Sequence, residues 1–170
     1  MQPSTLHPVP TDADADSDPD SDAPRQLVLV ETVPAEMVAV CELSARVTAA
    51  VRCYISQDQA DMLDLGLTEA VTNIVRHGYN GQDGNITIDV GLDNQRLFIE
   101  VIDQGSRIPE EVLARDPDAA FDFDPDDLES IPEGGMGIGL IKKTFDAMRY
   151  VVADGVNTMH LEVILPNSGS

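Results

Sequence analysis

Basic side chains are scarce in this chain: 10 Lys and Arg stand against 31 Asp and Glu, for a formal net charge of −21. A protein so acidic offers no broad positive surface, so neither direct nucleic-acid binding nor attachment to an anionic membrane is expected. No run of about 18 apolar residues is present, and the start has neither a basic segment nor an apolar signal core. A soluble, cytoplasmic protein is therefore expected. Cysteine is limited to Cys41 and Cys53. On one helix that spacing separates them by about 120°, which suits neither a disulfide within the helix nor a zinc pair. Both are expected to be reduced and mostly buried.

What remains is enough for a folded domain. The 170 residues are 42% hydrophobic, sufficient for one domain with a real core. Residues 1–24 carry six aspartates, no Lys or Arg, and few large apolar side chains. They read as a disordered, solvating acidic tail. Residues 25–166 read as the domain, and 167–170 as a frayed end.

Within the domain, Leu27–Val30 suggests a strand closed by Thr32-Val-Pro34. Ala35 to about Ile55 has helical periodicity, with a broad apolar face of Met37, Val38, Val40, Cys41, Leu43, Val47, Ala50, Val51 and Tyr54. Ser56 and Gln59 form a variant capping box that opens a second helix, which Asn80-Gly81 ends near Tyr79. Ile86–Val90 and Arg96–Ile102 alternate around a Gly/Asp/Asn turn, a hairpin signal. From Gly105 to Gly135, prolines and the acidic run around Asp122, Asp124 and Asp126 break any long element apart from a short helix near Pro109–Ala114. A connection of that length is more often functional than idle, and a lid is its usual form. The aspartates with Glu133 match four positions of a calcium loop, but Asp127 stands where glycine is required. Ile138–Met148 reads as a third long helix, and Tyr150–Ala153 and Thr158–Leu165 as closing strands. This order implies a two-layer α/β sandwich: a mixed, mostly antiparallel sheet with helices on one face.

Three stretches carry chemistry. At about 100° per residue, Glu69, Asn73, Arg76, His77 and Asn80 share one sector of the second helix, opposite Leu63, Leu67, Ala70, Val71, Ile74 and Val75. Asp103 ends a strand and is followed by Gln104-Gly105; a carboxylate there can accept an exocyclic amine, and the glycine permits close approach. Gly134-Gly-Met-Gly-Ile-Gly139 precedes a helix, whose free N–H groups and dipole suit a phosphate. Leu140 stands where a dinucleotide fingerprint needs glycine and a P-loop needs lysine, so neither motif fits. Each stretch alone is also compatible with a plain structural role: a solvated face, a turn, or a flexible helix cap.

In this order, Glu-x3-Asn-x2-Arg-His, Asp-x-Gly and Gly-Gly-x-Gly-x-Gly resemble the ATPase superfamily of histidine-kinase, gyrase and MutL type, with its Bergerat-type ATP-binding fold. Leu67–Tyr79 and Gly134–Lys143 look most similar to the anti-sigma-factor serine kinases of partner-switching systems. The resemblance implies that Asn73 holds Mg²⁺ against the phosphates of ATP and that Glu69 is the general base. Arg76 and His77 would support phosphate or ribose. Asp103 would bind the adenine amino group while Gly105 makes room for the ring. Gly135, Met136, Gly137, Ile138 and Gly139 would wrap the phosphates. It also implies a homodimer built on the first strand and helix, and two partners: a sigma factor and an antagonist protein of STAS type.

The chain departs from the pattern at Ser106-Arg107, where many relatives have a second glycine, and in its acidic lid, which is expected to face a basic partner. Two rival readings remain. One is a histidine-kinase catalytic domain, against which stands the expectation of no room before Gln26 for a dimerising helix pair bearing a phosphoacceptor histidine. The other is a module that binds ATP without transferring phosphate.

Overall fold

The computed structural model describes residues 25–118 and 136–166. Expectations about the acidic tail, the acidic lid and the C-terminal end fall outside those residues.

Five strands form one sheet in the order β1-β2-β3-β5-β4. They are β1 (Gln26–Pro34), β2 (Asn85–Leu92), β3 (Arg96–Asp103), β4 (Ala147–Ala153) and β5 (Val156–Ile164). Every pairing is antiparallel, so the described sheet has no parallel part. Alternation decides its faces. Ile86, Ile88 and Val90 of β2, Leu97, Ile99 and Val101 of β3, and Met159, Leu161 and Val163 of β5 are buried toward the helices. Their neighbours along each strand point the other way. On that open face Phe98 is nevertheless only 7% exposed, because Arg25 lies over its ring at 3.9 Å and Arg96 at 5.4 Å.

The helical layer is α1 (Met37–Val51), α2 (Gln57–Asn73) and α4 (Met136–Thr144); a short α3 (Glu110–Leu113) lies in the connection after β3. The predicted capping box opens α2: Ser56 Oγ accepts from Gln59 N–H, and Gln59 Oε1 accepts from Ser56 N–H. One face of α2, with Leu63, Leu67, Ala70 and Val71, shares a core with Val40, Leu43, Val47 and Val51 of α1, with Ile138 and Ile141 of α4, and with Phe145 just beyond its end. Each such Val, Leu, Ile or Phe side chain contributes about 1.5–3 kcal/mol when fully buried.

Three expectations need correction. The helix expected to run to about Ile55 ends at Val51, and its apolar face is only half used: Met37, Val38 and, beyond the helix, Tyr54 are exposed, Val38 by 70%, and Cys41 and Cys53 are free, exposed thiols. A narrow stripe spaced by three and four residues satisfies packing on one neighbour, so the flanking apolar positions face outward. Second, α4 ends at Thr144, short of Met148. Asp146 stops it, its N–H donating to Glu162 O at 2.9 Å and its Oδ2 accepting from Ile164 N–H at 2.7 Å. Met148 thus follows strand alternation. Third, the helix through Tyr79 reaches its expected length, but Ile74–Tyr79 is π-helical. Asn80 closes it in the left-handed conformation at φ 49°, with its N–H on Val75 O.

Candidate functional site

The π-helical turn has an identifiable anchor. The Tyr79 hydroxyl donates to Asn85 O at 2.7 Å and accepts from Gln104 N–H at 3.1 Å, which ties the helix end to the starts of β2 and of the loop after β3. Gly84 leaves the space its ring fills; a Cβ there would collide with the ring. Within this turn, Gly78 lies against the loop after Asp103. Ser106 N–H donates to Gly78 O at 2.8 Å. A Cβ on Gly105 would stand 2.7 Å from the Gly78 carbonyl carbon, so Gly105 is required here by backbone-to-backbone contact.

Two clusters result. In the first, Asn73 Nδ2 donates to Glu69 Oε1 at 3.1 Å, one turn apart on α2. That bond orients the carboxamide and leaves Asn73 Oδ1 as a hard oxygen donor. The first turn of α4 lies directly on this pair. A Cβ on Gly137 would collide with Glu69 Oε1 and stand 2.5 Å from Asn73 Nδ2. Glycine at 137 therefore lets the helix start reach the carboxylate and carboxamide.

In the second cluster, Asp103 is 5% exposed at the end of β3. Its Oδ1 accepts from Gly105 N–H at 2.7 Å and from Asn157 Nδ2 at 2.9 Å. Asn157, itself 2% exposed, also donates to Gly105 O at 3.0 Å. Both bonds fall on one oxygen, so Oδ2 is the one left for a ligand. Burial pushes the Asp103 carboxyl above its ordinary range, while the bonds from Asn157 and Gly105 pull partly back. Nearby, burial raises the Tyr150 hydroxyl; its bond from Ile108 N–H opposes this, the Asp103 charge adds to it, and Arg107 opposes it.

The remaining expected residues divide. Arg76 and His77 are exposed on the π-helical turn and make no hydrogen bond to Glu69 or Asn73 among the described residues. Gly135 lies outside those residues, and Met136 opens α4. Gly139 is buried, and the Ile138 side chain packs in the core at 5% exposure, so only its backbone can face a ligand. Asn157 went unnoticed in sequence. An isolated asparagine after Asp154-Gly155 carries no signal until β5 pairs with β3 in the register that sets it opposite Asp103.

The profile of the histidine kinase-like ATPase domain matches residues 31–162, spanning both clusters. The chain belongs to the histidine kinase-like ATPase family. Relatives within it include serine-protein kinases RsbW. Those of Bacillus cereus and Bacillus mycoides are each 32% identical over 130 residues, covering 76% of this chain and 79% of theirs. A further Bacillus cereus RsbW is 30% identical over 141 residues. Among solved structures, the mycobacterial sensor histidine kinase MprB aligns with a TM-score of 0.48 at 19% identity, over 79% of this chain and 98% of that one. Membership fits the three motifs in their order, and ATP is the nucleotide class the family implies. Among the described residues no helix is long and apolar enough to cross a membrane.

Proposed function

We propose that residues 25–166 form a serine/threonine protein kinase domain that binds Mg-ATP, phosphorylates a small antagonist protein and sequesters a sigma factor. The observation that carries the reading is the Glu69–Asn73–Gly137 contact. It joins a carboxylate, an oxygen donor and a glycine-led helix start within one site, while the Asp103–Gly105 turn packs against Gly78 at the end of the same helix. Such a set serves phosphoryl transfer, which needs positioning and charge stabilisation more than covalent chemistry from the protein.

In this reading Asp103 Oδ2 accepts the adenine amine, with Asn157 holding the carboxylate and Gly105 keeping the loop against Gly78. Asn73 Oδ1 would hold Mg²⁺. No group of three or more His, Cys, Asp or Glu side chains among the described residues is placed to hold a metal alone, so phosphate oxygens and water would complete its shell. When bound, the ion supplies charge neutralisation across the phosphates. Backbone N–H groups at the start of α4 donate to the transferring phosphate. Glu69 takes the proton from the attacking serine or threonine hydroxyl as that oxygen bonds to the γ-phosphorus and the bond to the ADP oxygen breaks. Arg76 and His77, exposed beside this site, are assigned to phosphate or ribose.

The exposed face of α1 and the edge position of β1 support a homodimer through those elements. The curated relatives' serine-protein-kinase name supports kinase action over a binding module. The test is transfer of label from radiolabelled ATP to an antagonist recovered by pull-down from native cells. Glu69→Ala should lower the transfer rate by at least about a hundredfold, the scale of general-base catalysis, while ATP still binds. Transfer at the wild-type rate would remove Glu69 from the base role. Partner binding with no labelling by the wild-type protein would favour the non-catalytic module.

A further inference from the structure

The chain has only two lysines, Lys142 and Lys143, adjacent on α4. Both reach the same stretch. Lys142 Nζ donates to Leu113 O at 2.5 Å and to Arg115 O at 3.0 Å. Lys143 Nζ pairs with Asp118 Oδ1 at 2.8 Å. The Leu113 carbonyl belongs to the last residue of α3, where a helix leaves carbonyls without partners and carries its negative dipole end. An ammonium with three donors suits that position. Lys142 is half-buried, and its bond to Leu113 O is shielded from solvent more than its exposed bond to Arg115 O or the exposed Lys143 pair.

Position gives this contact its consequence. Residues 106–118 leave the Asp103–Gly105 turn, held to the scaffold by Ile108 N–H on the Tyr150 hydroxyl at 3.2 Å. α4 begins on the Glu69–Asn73 pair through Gly137. Lys142 therefore connects the stretch leaving one cluster to the helix that closes on the other. Without this tie the stretch would be held to α4 only by the exposed Lys143–Asp118 pair, which moves part of the entropic cost of ordering it onto the binding step.

We infer that Lys142 is a positioning residue for nucleotide affinity, fixing residues 113–115 onto α4 before ATP binds. The inference rests on the nucleotide reading of the Asp103 and Asn73 clusters. Replacing the ammonium by an isosteric apolar chain, Lys142→Met, should weaken ATP and ADP binding by about tenfold, since two charge-assisted bonds are lost. Lys142→Arg, which can still donate to both carbonyls, should restore most of the affinity.

The test is titration of the full chain with ATP and with ADP, together with hydrogen exchange in nucleotide-free protein. Faster exchange at the amides of Ala114 and Arg115 in Lys142→Met, without a general rise across the sheet, supports the inference. If Lys142→Met fails to fold, Lys142→Gln provides the same comparison with one donor group retained. Unchanged ATP and ADP affinity in a folded Lys142→Met protein, while Asp103→Asn loses binding, overturns the inference and leaves the nucleotide reading intact. Wild-type protein that binds neither nucleotide overturns both. Loss of affinity not rescued by Lys142→Arg, with exchange at residues 113–118 unaltered, also overturns it, because the ammonium would then be acting directly on the nucleotide.

Discussion

The Asp103 carboxylate is held in a costly state, and Asn157 and Gly105 determine which of its oxygens is available. In Asp103→Asn, the side-chain oxygen would keep the bonds from Gly105 and Asn157, which turns an N–H₂ donor toward the ligand. A donor opposite an adenine amine is unfavourable, so ATP affinity should fall by more than about tenfold. The melting temperature near neutral pH should hold or rise, since a buried charge has been removed. Calorimetric titration and thermal melts on the same preparation check both halves. The pH dependence has a definite sign. Folding raises the Asp103 pKa above the ordinary value of about 3.8, so the folded state binds this proton more tightly than the unfolded state. Its contribution to stability is fullest below that value and is lost as pH rises through the raised folded pKa. Asp103→Asn should flatten that fall in thermal melts taken across the acidic range. Removing the partner instead, in Asn157→Ala, leaves the buried carboxylate short of a donor and should cost about 1–3 kcal/mol by denaturant unfolding.

At the scale of elements, α2 and α4 meet closely at Gly66. A Cβ on Gly66 would stand 2.6 Å from Thr144 Cγ2 and 2.8 Å from Thr144 Oγ1. Gly66→Ala should therefore destabilise by about 1–3 kcal/mol through overpacking. Thr144 Oγ1 is also a buried hydroxyl without a hydrogen-bond partner among the described residues. Thr144→Val keeps the shape and removes that unsatisfied group, so it should raise stability by about 1 kcal/mol in denaturant unfolding. Much of the element order was legible because the signals were local. The Ser56–Gln59 box, the period-two runs of β2 and β3, and the glycine and asparagine turns each act within a few residues. The π-helical turn was not legible, since it follows from Tyr79 bonding Asn85 and Gln104 across the fold. Nor was the end of α4, where a helical period and a strand alternation both accommodate Met148.

Across the whole molecule the charge of −21 opposes compaction. Its repulsion is screened within about 10 Å at 0.1 M salt, so the melting temperature should rise between low and moderate sodium chloride concentrations. A melting temperature that falls over that range would show that paired charges such as Arg46–Glu31, 2.7 Å apart, outweigh the net repulsion. The uncovered apolar side chains of α1 bear on assembly. Val38→Glu, at a site 70% exposed in the single chain, should leave folding intact and lower any self-association seen in sedimentation.

Residue order along single segments was enough to place Glu69 and Asn73 one turn apart, Asp103 with Gly105 at a strand end, and glycines before a helix. Those are properties of neighbours on one segment, fixed by helical and strand periodicity, and the family follows from them. Only the tertiary structure decided that Gly137 rests on Glu69 and Asn73, that Gly105 meets Gly78, that Asn157 holds Asp103, and that Lys142 reaches past α3. These contacts join residues far apart in sequence, and no local period encodes which of them meet. Sheet register and helix packing choose the partners, because burying the apolar face and satisfying buried polar groups must be achieved together.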